Sequence, residues 1–140
     1  MTIKEIQEEI IDEFDLFEDW MERYEHLIDL GKSLPLIEER FKMDENLIKG
    51  CQSKVWLHAE IENNQLAFSA DSDAILTKGI VALLLRVFNG QKPSDIIHTE
   101  MDFIDKIGLK EHLSATRANG LLSMIKQIKL YALGFHAKMS

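Results

Sequence analysis

The thiol of Cys51 is the only one in this chain of 140 residues. It follows Gly50, which permits a tight backbone path beside the sulfur. Lys49 and Lys54 flank it and would favour a thiolate if they face the sulfur. A thiolate is a nucleophile, so the stretch is compatible with sulfur chemistry. Free cysteines are also among the most buried residue types, and a packing role for Cys51 therefore stays open.

The histidines offer this thiol no obvious base and no metal site. A structural metal site needs three or four closely spaced Cys or His ligands, and the five histidines are scattered. His58, the nearest in sequence, would lie roughly 23 Å from Cys51 along an extended strand. A Cys–His hydrolase would depend on His98 or His112 arriving through the fold. Phosphate-binding glycine motifs are also missing from the sequence. We therefore expect no metal and no cofactor.

The composition is typical of one globular domain, which we expect over residues 1–140. It is 46% hydrophobic and 29% charged. The first residues lack the pattern of a signal peptide, and the longest apolar run is too short to span a bilayer. These features predict a cytoplasmic protein without membrane contact. The net charge of −8 makes nucleic acid an unsuitable partner.

The charges are unevenly distributed along the chain. Acidic residues crowd the N-terminal stretch, whereas Lys126, Lys129 and Lys138 follow Arg117 with no acid among them. Solvated helix faces, with cations suited to the end of a final helix, explain this pattern. An electrostatic docking surface is the alternative.

The N-terminal part predicts two amphipathic helices. Thr2 and Glu5 form a capping-box pattern, and apolar residues follow at helical spacing. Asp19 opens a second helix, which Gly31 is placed to end. Residues 35–50 are expected to form a connecting loop that has room for a short helical turn.

A period of two begins after Gln52 and predicts a β-hairpin. Asn63-Asn64 suits the positive φ angles of a tight turn. The apolar positions on either side alternate with polar ones: Val55, Leu57, Ala59 and Ile61 before the turn, and Leu66, Phe68 and Ala70 after it.

The second half predicts a buried central helix over residues 74–88. Asp71 or Ser72 is placed to cap it, and Asn89-Gly90 to stop it.

Shorter helices are expected beyond it. One opens at Pro93, another is capped by Asp102, and Ser114 begins a final helix. The predicted fold class is α+β, with a small antiparallel sheet, a hairpin with room for a third strand, packed against helices.

Four stretches, which follow one another between residues 24 and 129, resemble the SufE family, and the resemblance extends in order over nearly the whole chain. They are "YEHLIDLGKSLP" (24–35), "IKGCQSKVWL" (48–57), "SADSDAILTKGIVALLL" (69–85) and "LSATRANGLLSMIKQIK" (113–129). SufE proteins and their CsdE-type relatives accept sulfur from cysteine desulfurases, pyridoxal-phosphate enzymes of the SufS or CsdA type. The resemblance also implies the α+β fold shared with IscU-type scaffolds.

By this resemblance Cys51 is the persulfide carrier. It would take sulfur from the desulfurase, stimulate that enzyme, and deliver the sulfur toward iron–sulfur cluster assembly. The implied partners are a cysteine desulfurase and a downstream iron–sulfur scaffold or sulfur acceptor, with the chain itself a monomer or homodimer. Gly50 suits the hinge of a cysteine loop that swings out on docking, and Gln52 and Ser53 could hydrogen-bond the sulfur's negative charge.

Arg117 and the acidic pair Asp71 and Asp73 are the remaining candidates. "SATRANGL" matches the family's Ser-x-x-Arg-x-x-Gly-Leu stretch, whose arginine is associated with desulfurase docking. A cation in a first helical turn opposes the helix dipole, which favours a functional role for Arg117. Pairing with an acid elsewhere in the fold is the alternative. Three roles are open to the two aspartates. They cap a helix, where its dipole favours acids, or they position the cysteine loop, or they contact the sulfur donor.

The sequence thus predicts a sulfurtransferase-type accessory protein with no independent turnover. One alternative is a non-covalent interaction module that activates a desulfurase without sulfur on Cys51. Another is a cysteine hydrolase that acts without a partner.

Overall fold

The computed structural model describes residues 1–35, 37–51 and 53–139, and it has the predicted α+β architecture. Within these residues, seven helices surround a two-stranded antiparallel sheet. In chain order the elements are α1 (Ile3–Asp15), α2 (Trp20–Lys32), β1 (Val55–Glu62), β2 (Gln65–Ser72), α3 (Ile75–Phe88), α4 (Pro93–His98), α5 (Asp102–Lys106), α6 (Leu109–His112) and α7 (Ala115–Met139).

The N-terminal capping box is confirmed. The Thr2 hydroxyl accepts a hydrogen bond from the Glu5 amide at 3.1 Å, and the Glu5 carboxylate accepts one from the Thr2 amide at 3.0 Å. Both bonds satisfy amides that the first turn of a helix leaves unpaired. The apolar stripe of α1 is buried through Ile3, Ile10 and Phe14.

The prediction that Gly31 ends α2 was wrong. The helix continues to Lys32, and Gly31 lies inside it, against Gly79 of α3. A Cβ atom added to Gly31 would lie 2.8 Å from the Gly79 amide nitrogen. Glycine is required there because the two helix backbones approach each other closely, and not because the chain turns.

The hairpin follows the predicted register. Glu62 pairs with Gln65 across the turn, where Asn63 and Asn64 have φ angles of 51° and 64°. Within the described residues no third strand joins the sheet, because residues 35–50 contribute only an isolated bridge from Leu47 to Trp56. The rest of that segment holds two short 3₁₀ turns, Glu39–Phe41 and Asp44–Asn46.

Helix α3 is the buried central helix that its apolar sequence predicted. Most of its side chains are buried. Burial of each large apolar side chain stabilises the fold by about 1.5–3 kcal/mol. These side chains pack against α2 and the inner face of the hairpin, and include Ile80, Val81, Leu83, Leu84, Val87 and Phe88.

The start of α3 differs from the prediction. Its N-cap residue is Ala74, whereas Asp71 and Ser72 end strand β2. The Ser72 hydroxyl still accepts a hydrogen bond from the Ala74 amide at 3.3 Å. Neither residue occupies the cap position: the Asp71 carboxylate pairs with Lys42 and Lys78, and the Ser72 hydroxyl also donates to the Lys54 carbonyl.

The C-terminal helices agree in part with the predictions. Pro93 opens α4, and the Ser114 hydroxyl accepts a hydrogen bond from the Arg117 amide at 3.3 Å at the start of α7. Asp102 is the first residue of α5 and not its cap, which is Met101. The short helix α6 was not predicted. None of the helices in the described parts of the chain is long and apolar enough to cross a membrane.

Candidate functional site

Cys51 lies in a loop that contacts helix α7 through Gly50 and Cys51; we call the described residues of this loop, 49–51 and 53, the cysteine loop. The cysteine is partly buried, and its thiol donates a hydrogen bond to the Gly120 carbonyl, with Sγ and the oxygen 3.6 Å apart. Gly50 has a φ angle of +89°, a conformation that glycine adopts without strain. The predicted hinge residue therefore does sit beside the sulfur in a backbone geometry that other residues avoid.

The electrostatics of the thiol differ from the prediction based on its flanking lysines. Burial raises the pKa of the Cys51 thiol above its ordinary value. Lys49 and Lys54 are both exposed. In this resting position the sulfur is therefore held mainly as the neutral thiol, and moving it into water would increase its thiolate fraction.

The loop is closed at its base by a backbone hydrogen bond and by bonds between the Lys54 backbone and two side chains, and we call this base the neck. On the incoming side, the Ile48 amide donates to the Val55 carbonyl at 2.9 Å. On the outgoing side, the Lys54 amide donates to the Asp73 carboxylate at 3.0 Å, and the Ser72 hydroxyl donates to the Lys54 carbonyl at 2.9 Å. These bonds hold the base of the loop and do not involve Cys51.

Asp71 supports this arrangement from inside the fold. It is 7% exposed, and its carboxylate pairs with Lys42 at 3.2 Å and with Lys78 at 3.3 Å. Burial alone would raise the pKa of Asp71, but the hydrogen bonds from the Ser72 amide, Lys42 and Lys78 outweigh burial and lower it. Asp73 is exposed and clamps the neck directly. Of the two predicted docking acids, the geometry of Asp71 favours a positioning role.

Arg117 is exposed in the first turn of α7, as predicted. The ion pairs that the structure describes do not include it, so the alternative of a partner acid within this part of the chain gains no support. An exposed guanidinium without a described carboxylate partner remains available to another molecule.

The predicted hydrogen bonds from Gln52 and Ser53 to the sulfur remain predictions. Gln52 lies outside the described residues, and the described hydrogen bond of Sγ runs to Gly120. His58, the nearest histidine in sequence, stacks on Phe41 with ring centroids 3.7 Å apart and contacts Glu60 at 3.0 Å. The His58 imidazole thus contacts Phe41 and Glu60, and this geometry gives no support to a Cys–His pair with Cys51.

The sequence reasoning missed Gly120 and Ser123, on which the cysteine loop rests. The signal was present, since Gly120 is an isolated glycine inside a helical pattern, where glycine costs about 1 kcal/mol relative to alanine. The described residues contain no group of three or more His, Cys, Asp or Glu side chains arranged to hold a metal ion.

Fold and site together define a small α+β protein with one partly buried thiol in a loop, and with an exposed arginine on the helix that the loop contacts. A family model, described as the Fe–S metabolism associated domain SufE, matches residues 8–132. The chain therefore belongs to the SufE family.

Individual relatives agree with this assignment. A SufE-like protein of Rhizobium meliloti is 45% identical over 132 residues, which are 91% of this chain and 94% of the relative. One from Synechocystis is 37% identical over 131 residues, 94% of this chain and 82% of the relative. SufE-like protein 1, chloroplastic/mitochondrial, of Arabidopsis thaliana is 37% identical over 94% of this chain, which corresponds to 36% of its own length.

The fold also occurs in a solved structure. The solution structure of a hypothetical protein from Thermus thermophilus matches with a TM-score of 0.77 over 92% of this chain and 94% of that one. At 17% identity, this likeness shows the shared fold.

Proposed function

We propose that this protein is a sulfur carrier that accepts persulfide sulfur from a cysteine desulfurase onto Cys51 and delivers it to iron–sulfur cluster assembly. Its membership in the SufE family places it in Fe–S metabolism. The observation that carries the finer proposal is the single thiol at the tip of a loop whose neck is clamped and whose tip rests on α7.

The chemistry needs only a thiolate and access. The Cys51 thiolate attacks the outer sulfur of the donor's persulfide, a new S–S bond forms at Cys51, and the donor's S–S bond breaks. The electron pair of the broken bond leaves on the donor cysteine as a thiolate. The outer sulfur keeps its proton and its oxidation state, so the exchange requires neither a metal nor a redox partner.

The resting geometry suits a carrier more than a free-standing enzyme. The raised pKa of Cys51 keeps the thiol poorly reactive until its environment changes. A docked partner that draws the loop tip out of its cover would expose the sulfur and ionise it in one movement. A persulfide carried back under α7 would be shielded from solvent between transfers.

Arg117 supports a docking role on the same face. It lies one helical turn before Gly120, whose carbonyl holds the thiol. A partner surface with a carboxylate placed to meet this guanidinium would lie beside the cysteine loop. The carrier would act where its desulfurase does, which we propose to be the cytoplasm.

Intact mass measurement tests the covalent step. After incubation with a cysteine desulfurase, pyridoxal phosphate and L-cysteine, we expect the chain to gain the mass of one sulfur atom, and a thiol reductant to remove it. The Cys51→Ser variant should gain nothing and should fail to stimulate the desulfurase while still binding it.

The same variant decides against the non-covalent alternative. An interaction module that activates the desulfurase would keep its stimulation when Cys51 is replaced by serine. Undiminished stimulation by Cys51→Ser would therefore overturn the proposed sulfur transfer.

A further inference from the structure

The position of the cysteine loop depends on a glycine inside helix α7. Gly120 is buried, and a Cβ atom added to it would lie 3.5 Å from Cys51 Sγ and 3.6 Å from Cys51 Cα. The thiol thus touches the helix backbone directly and donates its hydrogen bond to the carbonyl of the same residue. A single methyl group just fits at this position, whereas a branched side chain would occupy the volume of the sulfur.

A second contact lies one turn further along the helix. A Cβ atom added to Gly50 would lie 2.8 Å from the Ser123 hydroxyl oxygen. Gly50 and Cys51 therefore rest on Gly120 and Ser123, which are neighbours on one face of α7 because they are three residues apart. We call these two α7 residues the seat.

The glycine at position 120 lowers the intrinsic stability of helix α7. Glycine in a helix interior costs about 0.5–1 kcal/mol relative to alanine. Leu121, Met124 and Ile128, which follow Gly120 in α7, are buried in the core and fix the position of the helix. When a larger side chain is placed at Gly120, the surface loop has to give way, because the helix is held by its buried residues.

We propose that Gly120 is a positioning residue that, together with Ser123, sets how deeply Cys51 rests and so regulates access to the thiol. This inference rests on the proposed sulfur transfer for its biological meaning, but the geometry that it concerns is that of the free protein. Arg117 lies one turn before Gly120 on the same helix, so a partner that holds Arg117 contacts the helix beside the seat. Docking and release of the loop are coupled through this helix.

Alkylation of Cys51 by iodoacetamide in the free protein, followed by intact mass, tests the proposal. Gly120→Val should accelerate alkylation at neutral pH by about threefold or more, because a displaced thiol is easier to reach and ionises more readily. The pH at which alkylation is half-maximal should fall as well, which a general loosening of the helix elsewhere would not produce. Gly120→Ala should keep the wild-type rate, because its Cβ makes only ordinary contacts with Cys51.

The matched control lies in the same helix. A Cβ atom added to Gly134 meets nothing within 4 Å, so Gly134→Val changes helix propensity equally without touching the loop. We expect it to leave both the alkylation rate and the pH profile unchanged. A folded Gly120→Val protein with the wild-type profile, or the same acceleration in Gly134→Val, would overturn the proposal.

A second pair of variants reaches the seat from the loop side, in case Gly120→Val does not fold. Gly50→Ala places a methyl group against Ser123 at a φ of +89°, whereas Gly90→Ala has a φ of +76° and nothing within 4 Å. Both carry a similar backbone penalty. Acceleration by Gly50→Ala alone supports the seat, and equal behaviour of the two variants contradicts it.

The outcome is separable from that of the proposed function. Alkylation is measured without a desulfurase, so a seat that governs thiol access can be confirmed even if no sulfur is transferred to Cys51. Conversely, if sulfur is transferred to Cys51 but Gly120→Val and Gly50→Ala both leave alkylation unaltered, the carrier function stands and the role of the seat is rejected.

Discussion

At the scale of single residues, the thiol of Cys51 is restrained and not activated. Surroundings that activate a cysteine, such as a helix N-terminus or a nearby cation, lower the pKa of its thiol. Here burial against Gly120 raises the pKa of Cys51. The neutral thiol is therefore favoured in this structure, and exposure of Cys51 to water would favour the thiolate.

The pH dependence of alkylation follows from this shift. We expect half-maximal alkylation of the native protein at a higher pH than that of the urea-unfolded chain. A folded pKa above the unfolded one stabilises the fold below the unfolded value of about 8.5, and this contribution is lost as the pH rises through the folded pKa. Intact mass at a series of pH values measures both profiles, and a native midpoint at or below the unfolded one would contradict the geometry.

Asp71 gives a second prediction at this scale. Asp71→Asn removes the charge that Lys42 and Lys78 share and should lower the free energy of unfolding by about 1–3 kcal/mol at pH 7. Because the folded pKa of Asp71 is lowered, its contribution is present above the unfolded value of about 3.9 and is lost as the pH falls through the folded pKa.

Urea unfolding at several pH values measures this difference. The wild type and Asp71→Asn should converge below about pH 4. Asp12→Asn replaces an exposed carboxylate on α1 and serves as the control, with little change expected at either pH. A difference between wild type and Asp71→Asn that stays constant down to acid pH would contradict the assigned role of the charge.

At the scale of elements, glycines permit two different contacts. Helices α2 and α3 cross where Gly31 meets Gly79, backbone against backbone. In helix α7, Gly120 lets Cys51 of the cysteine loop contact the helix directly. A contact between two helices and a contact between a helix and a loop are thus built from the same residue type.

Substitution of Gly79 tests the crossing. Gly79→Ala places a methyl group against the Leu27 carbonyl, at a backbone that cannot yield, and should lower the free energy of unfolding by about 2–3 kcal/mol. Gly134→Ala has open space around its methyl group and should raise it by about 0.5–1 kcal/mol. Chemical denaturation of both variants checks the difference in sign, and a neutral Gly79→Ala would show that the helices separate at little cost.

At the scale of the whole molecule, the charges are segregated. The net charge is −8, yet no acidic residue follows Arg117 in the sequence. Arg117 is exposed beside the cysteine loop, so a partner with an acidic surface would meet its cation near the thiol. Such attraction acts between exposed charges and weakens as salt is added.

Charge reversal tests this orientation. Arg117→Glu should weaken binding to the desulfurase at low salt and flatten the dependence of binding on salt. It should not lower stability, because an acid in the first turn of α7 is favoured by the helix dipole. Lys4→Glu is the matched control, because Lys4 lies near Gln65, at the end of the hairpin opposite the cysteine loop. Isothermal titration at several salt concentrations measures both, and equal weakening by the two variants would show that only net charge matters.

Much of the fold was determined by the sequence because its signals are local. The capping box at Thr2, the two-residue period of the hairpin, the asparagine turn and the stop at Asn89-Gly90 each act within a few residues. All of them appear in the structure as predicted. The position of Cys51 at a loop tip before a strand was also predicted from local pattern, and its resemblance to the SufE family assigned the chemistry.

Only the tertiary structure decided how the thiol is held. Gly31 was interpreted as a helix end, and Gly120 was not interpreted at all, because the reason for each glycine is an element that is remote in sequence. The lysine partners of Asp71 and the raised pKa of Cys51 likewise depend on segments brought together by folding. Burial and contact between distant elements are properties of the packed chain, and no local pattern encodes them.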